Sequence, residues 1–214
     1  MTADLFEITR PQDGMLQQRL KGIQTRAIAS RNKRILRRIK SEELLADLLP
    51  QKPLPGYSYH VISHGDVDSL SYLGHCIKSQ DFDHVLISTW CIAIADVDQL
   101  FAWLDSGRIK SIDFCCGEIF PGSYSDECDK IDRAIAAGKP ITLTVARNHS
   151  KVMLMSNAAD SVYLVTESSA NVNTNPRIEQ TVLTHDQDLH EFYKDFFSGL
   201  ISVHKNPYLE RKAA

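Results

Sequence analysis

From residue 57 onward the chain alternates short apolar runs with stretches of helical period. Residues 59–63 (Tyr-His-Val-Ile-Ser) predict a strand, and residues 66–78 a helix opened by Gly65-Asp66. Residues 84–91 form a nearly continuous apolar run, as expected of a strand covered on both faces, and residues 96–106 read as a helix. A third strand is predicted at 109–115, a helix at 125–137 closed by Gly138, and a fourth strand at 141–146. Then the rhythm changes. Residues 151–155 and 161–166 read as strands joined by the polar turn 156–160, which predicts a hairpin. A last strand at 178–184 precedes a helix at 186–204, whose apolar side carries Leu189, Phe192, Phe196, Phe197 and Leu200. Strand–helix alternation passing into an antiparallel hairpin predicts an α/β fold, a mixed sheet flanked by helices, with no internal repeat.

The first fifty residues follow another pattern. Within residues 31–40, Arg31, Lys33, Arg34, Arg37, Arg38 and Lys40 occupy one half of a helical wheel, while Ile35, Leu36 and Ile39 occupy the other. Leu44, Leu45, Leu48 and Leu49 fall off that apolar stripe, so a new helix is expected to begin at Ser41, capped by its hydroxyl and favoured by Glu42 and Glu43. Pro50, Pro53 and Pro55 end it. Two domains are therefore expected: a basic helical arm at 1–50 and the main domain at 51–214. Charge is segregated accordingly, +7 over residues 1–40 and −10 over residues 41–214 within a net charge of −3. Such a helix can be a solvated face, a nucleic-acid contact or an anionic-membrane contact, and these six cations are expected to contact nucleic acid.

Composition changes the picture little. With 214 residues, 43% hydrophobic and 24% charged, the chain can bury one sizeable core. No apolar run approaches the ~20 residues that span a bilayer, and residues 1–10 lack the apolar core of a signal peptide, so a cytoplasmic protein without stable membrane association is expected. Five cysteines without a C-x-x-C pair argue against both a disulfide framework and a structural zinc site. The adjacent Cys115 and Cys116 read as buried thiols on an apolar strand, with a redox pair as the alternative.

The candidate chemistry lies in Asn148-His149-Ser150-Lys151, followed by Ser168-Ser169-Ala170-Asn171 and Glu179. Side chains two apart on an extended segment point the same way, so His149 and Lys151 would form one small cationic site. An isolated H-x-K is usually an exposed polar pair. Joined to a hydroxyl, an amide and a carboxylate in this order, it describes a site that can hold and attack a phosphate.

H-x-K, a hairpin and then S-x-N resemble the phospholipase D superfamily signature, written HxKx4Dx6GSxN. Ser156 stands where that pattern has Asp, Ser168 where it has Gly, and Ser169-Ala170-Asn171 arrives five residues late, which a longer hairpin would explain. If Gly is needed at position 168 for a positive φ, Ser168 should carry strain. With one motif, the chain resembles the small single-motif bacterial endonucleases of the superfamily, which work as homodimers. The resemblance implies that His149 is the nucleophile, forming a phosphohistidine, while His149 of a second subunit protonates the leaving oxygen. It further implies that Lys151 and Asn171 bind the non-bridging oxygens with help from Ser169, that Glu179 orients the histidine, and that neither metal nor cofactor is required.

In open α/β sheets ligands gather at the carboxyl ends of parallel strands, here the loops 63–68, 88–90 and 117–122. His64 and Glu118 are groove candidates and Trp90 is placed to stack on a base. Against this, Asp66 also reads as a helix cap, Trp90 as a core aromatic and Gly122 as a turn residue. The remaining histidines show no metal-ligand spacing. Together these features predict a metal-independent phosphodiesterase, a homodimeric nuclease acting on DNA or RNA. The alternatives are a nucleic-acid-binding protein of the same fold without catalysis and a phospholipid-processing enzyme.

Overall fold

The computed structural model describes residues 33–173 and 177–203. From residue 34 onward the described residues form one compact unit. Its elements are α1 (Lys33–Leu48), β1 (Ser58–Ser63), α2 (Ser71–Ile77), β2 (His84–Thr89), α3 (Ile94–Asp105), β3 (Ile112–Gly117), the single turn α4 (Phe120–Ser123), α5 (Ser125–Ala136), β4 (Ile141–Ala146), β5 (Val152–Asn157), β6 (Val162–Ser168), β7 (Glu179–His185) and α6 (Gln187–Val203).

The seven strands make one sheet in the order β1-β7-β6-β5-β2-β3-β4. β2, β3 and β4 are parallel neighbours, while every other neighbouring pair is antiparallel. This is the expected mixed α/β sheet. The predicted hairpin is present as β5 and β6, with Leu154 opposite Val165. Because strand direction alternates across β1, β7, β6, β5 and β2, the ends of β1, β2, β3, β4 and β6 and the starts of β5 and β7 all lie along one edge.

Side-chain alternation splits the apolar residues between two layers. Val85, Ile87, Ile112, Phe114, Cys116, Met153, Met155 and Leu164 face the larger core, which Leu45, Leu73, Leu100 and Ile131 of the helices complete. Leu86, Cys115, Val152, Leu154 and Val165 face the other side, where Phe197 of α6 seals a smaller core. Cys115 and Cys116 therefore sit on opposite faces. All five cysteines are buried, and burial pushes the Cys115 thiol up to about 11 and Cys116 well above its ordinary value. The buried-thiol reading holds.

Two helix boundaries differ from expectation. No new helix begins at Ser41, because α1 runs unbroken from Lys33 to Leu48. Ser41 is fully buried, and its hydroxyl donates to Arg37 O (3.0 Å) and Asp66 O (2.6 Å). The inward stripe is Arg38, Ser41 and Leu45 of α1, continued by Leu49 just beyond it, at helical spacing but half polar, while Leu48 is exposed. An apolar-only stripe misses it. The second difference is α2, which starts at Ser71 and not at Asp66. Asp66 turns back to accept from His64 N (3.1 Å), and Asp68 accepts from Ser71 N (3.0 Å) in the capping role expected of Asp66.

Two of the three departures from the signature, Ser168 and Ser156, are absorbed locally. Ser168 has no positive φ; among the described non-glycine residues only Ser161 does, at 54° in the hairpin turn. The Ser168 hydroxyl lies 2.8 Å from that of Thr181 and accepts from Ala170 N (3.0 Å), tying the end of β6 to β7. Ser156 is buried in β5, where its carbonyl accepts from Asp83 N (2.8 Å). The strain expected at Ser168 is absent.

Candidate active site

The expected site residues gather on that common edge. His149 and Lys151 occupy the extended segment entering β5, whose pairing continues one residue beyond the strand, since Ser168 N donates to Lys151 O (2.9 Å). Lys151 Nζ lies against the Cε1 edge of the His149 ring, 2.8 Å from Nδ1 and 3.3 Å from Nε2. Partial desolvation lowers the Lys151 pKa, against smaller upward pulls from Cys91 and Glu179. His149 is exposed and Lys151 half-buried.

Ser169 and Glu179 meet across the β6–β7 connection. The Ser169 hydroxyl donates to Glu179 Oε2 and accepts from Gln180 N (3.1 Å). Asn171 is held by its oxygen, which accepts from Trp90 N (3.2 Å) and Thr89 Oγ1 (3.3 Å). These bonds fix which end of the amide is the donor. The five residues assigned to catalysis thus form one cluster of an imidazole, an ammonium, a hydroxyl, an amide and a carboxylate.

Asn148 and Ser150 flank His149 and do a different job. Asn148 Nδ2 donates to Cys115 O (2.8 Å) and Ser88 Oγ (2.9 Å), and its Oδ1 accepts from Ser150 N (3.0 Å) and Ser150 Oγ (2.6 Å). One amide clips the His149 segment onto the ends of β2 and β3. Sequence reasoning left this role unassigned, although Asn at the residue before an H-x-K offers both a donor and an acceptor to nearby backbone.

The groove candidates separate. Trp90 stands beside the site, its ring centroid 5.6 Å from that of His149 with the planes at 54°. Glu118 is exposed and accepts from Arg147 Nε (3.2 Å). His64 follows β1 on the same edge, exposed, and β1 residue Ser63 pairs with Glu179.

Two cations of the basic helix bond within the protein. Arg31 lies outside the described residues, and Lys33 and Arg34 open α1. Arg37 donates to Gly65 O. Arg38 turns inward, its side chain 14% exposed, and pairs with the buried carboxylates of Asp68 and Asp96. Of the six cations assigned to nucleic acid, Arg38 is an internal ion pair and Lys40 stands exposed. Among the described residues no group of three His, Cys, Asp or Glu side chains is arranged to hold a metal ion, and no helix is long and apolar enough to cross a membrane.

No protein-family model matches the chain, and no curated protein matches it in sequence. Solved structures do match in shape. Nuc from Salmonella typhimurium, a phospholipase D family member, aligns with a TM-score of 0.51 at 13% identity, over 68% of this chain and 94% of that one. A polyphosphate kinase from Porphyromonas gingivalis aligns at 0.49 and 18% identity, over 66% of this chain, which spans only 23% of the kinase. The archaeal chromatin protein TrmBL2, described with a novel mode of DNA binding, aligns at 0.49 and 15% identity, over 87% of this chain and 65% of that one. With its seven-stranded mixed sheet, its hairpin and its flanking helices, the chain has the phospholipase D-like fold.

Proposed function

We propose that the protein is a metal-independent phosphodiesterase, a nuclease that works through a phosphohistidine in a composite site of a homodimer. The observation that carries this reading is the contact of His149 with Lys151 on the sheet edge, beside Asn171 and the Ser169–Glu179 pair. A ring nitrogen of His149 attacks phosphorus as the bond to the leaving oxygen breaks, and the partner subunit's His149 gives that oxygen a proton. Water then attacks the phosphohistidine and yields a proton to the same base, restoring both imidazoles. Lys151 and the Asn171 amide stabilise the charge on the non-bridging oxygens.

One histidine per chain serves as nucleophile or as acid, so the chemistry needs two chains related by a two-fold axis. Two exposed isoleucines beside Glu179 support an interface there: Ile62, opposite Gln180 in β1, at 79%, and Ile178 at 67%. The fold shared with Nuc supports phosphodiester chemistry, and the basic amino-terminal segment supports a polyanionic substrate. We place the protein in the cytoplasm.

Incubation with plasmid DNA and labelled RNA in excess EDTA tests the reading: cleavage persists if it is right, whereas loss restored by magnesium overturns the mechanism. His149→Asn abolishes turnover with folding and binding retained. Isolated heterodimers of wild type and His149→Asn show near-zero activity; half the wild-type rate would mean that each subunit owns an independent site. Binding without any cleavage by the wild-type protein would point instead to a nucleic-acid-binding protein of the same fold.

A further inference from the structure

The most specific arrangement around the site is the seat of Trp90. Gly117, the last residue of β3, lies so close to it that an added Cβ would stand 2.3 Å from Trp90 Cδ1, 2.9 Å from Trp90 O and 3.0 Å from Asn148 O. Two of those atoms are backbone and cannot swing aside. Gly117 N also donates to Trp90 O (3.3 Å). Its φ is not positive, so the glycine is required here for close approach and not for a left-handed turn. Trp90 is therefore fixed at three points: its ring by Gly117 against one edge and by the His149 ring at 5.6 Å, and its backbone by the N–H that donates to Asn171 Oδ1 (3.2 Å). It remains half-buried.

A buried aromatic needs no such seat, and a ring that only filled space would be enclosed in the core. This ring is held at the rim beside the proposed nucleophile, on a backbone bonded to the residue assigned to bind a phosphate oxygen. Resting on the proposed phosphodiesterase site, we infer that Gly117 and Trp90 form a stacking platform for the base of the nucleotide whose phosphate lies at His149. The substrate that this selects is a nucleic acid with an unstacked base, a single strand or a frayed end. A base inside a duplex already has both faces covered by its neighbours and offers none to the indole. Base–aromatic stacking tolerates any base, so the platform discriminates strand form and not sequence.

Trp103→Phe leaves Trp90 as the one tryptophan and its emission as the probe. With His149→Asn added to block turnover, a single-stranded oligodeoxynucleotide quenches that emission, an abasic strand of equal length and charge does not, and the abasic strand binds about tenfold more weakly or worse. The matched blunt duplex binds as the abasic strand does. Gly117→Ala, which must displace the indole, and Trp90→Ala both remove the preference for the base-bearing strand while leaving abasic binding unchanged. If Gly117→Ala does not fold, Trp90→Ala and Trp90→Phe carry the test, Phe retaining part of the preference. Equal quenching and equal affinity for base-bearing and abasic strands overturn the platform, and tight duplex binding with quenching overturns the strand preference. Absence of cleavage by the wild-type protein would overturn the nuclease reading alone, since the quenching assay needs no turnover.

Discussion

Two cationic groups that look alike in sequence are used in opposite ways. Arg38, in a run of six basic residues, is turned inward between Asp68 and Asp96, while Lys151, a single cation two residues from a histidine, stands at the open edge of the sheet. Arg38 meets two carboxylates that are themselves buried, so its charge is neutralised inside the protein. Lys151 meets an imidazole and a backbone carbonyl, which take hydrogen bonds without cancelling its charge. Lys151 therefore still has a charge to offer a phosphate, and the lesson is that the number of cations in a segment says less than what each is paired with.

Removing either cation should separate the two uses, and the largest effect is expected at Arg38. Arg38→Met takes the guanidinium away from two buried carboxylates, and breaking such a pair costs about 3–5 kcal/mol. Chemical denaturation should show that loss, with a lower midpoint and an unchanged slope. Adding Asp68→Asn and Asp96→Asn should recover part of the stability by removing the orphaned charges. A loss below about 1 kcal/mol would mean that the pair is solvated and that Arg38 is closer to a surface cation than its 14% exposure indicates.

Lys151→Met should do the reverse, leaving the denaturation midpoint nearly in place and lowering turnover by about 10²–10³-fold, the usual cost of one charge-stabilising donor. The pH profile sharpens this. Desolvation lowers the Lys151 pKa, so the proton needed for phosphate binding is lost at a lower pH than from an ordinary lysine, and the alkaline limb of activity should fall correspondingly early. A fall in stability matching that of Arg38→Met would show Lys151 to be structural.

A third position shows the fold excluding a cation altogether. His190 on α6 is buried with neither ring nitrogen hydrogen-bonded among the described residues, and burial lowers its pKa to about 4. The ordinary value is 6.5, so below that pH the unfolded chain takes up a proton that the folded protein refuses until about pH 4. Stability should fall across that window, by about 3 kcal/mol in all at about 1.36 per unit. His190→Leu should flatten the loss between pH 6.5 and 4; an unchanged acid limb in thermal melts would assign the sensitivity to another group.

The strands, the hairpin and the candidate set His149, Lys151, Ser169, Asn171 and Glu179, which the fold brings to one edge, were legible because each rests on local pattern: alternation, turn residues and spacing two apart. The inward face of α1 was not, because Arg38 and Ser41 are polar and their partners Asp66, Asp68 and Asp96 come from other elements. Asp68, not Asp66, received the capping role because the chain turns back through Gly65 before α2 can begin. Gly117 was illegible for a plainer reason. A glycine in a sequence does not say what presses against it, and only the fold brings Trp90 there.

The smallest effect belongs to Lys40, the exposed cation of α1, and it decides how much of the basic segment meets nucleic acid. Each phosphate neutralised by a lysine releases condensed counterions, so the logarithm of the binding constant falls linearly with the logarithm of salt concentration, by about 0.7–0.9 per contact. If Lys40 touches a phosphate, Lys40→Ala should make that slope shallower by about this amount for every sequence alike, with no change in stability. Arg38→Met, compared where both proteins are folded, should leave the slope where it was, because a guanidinium held by Asp68 and Asp96 has no counterions to release. Should the slope change with Arg38 and not with Lys40, the inward pairing would have to open on binding, and the contrast between the two cationic groups would describe the free protein only.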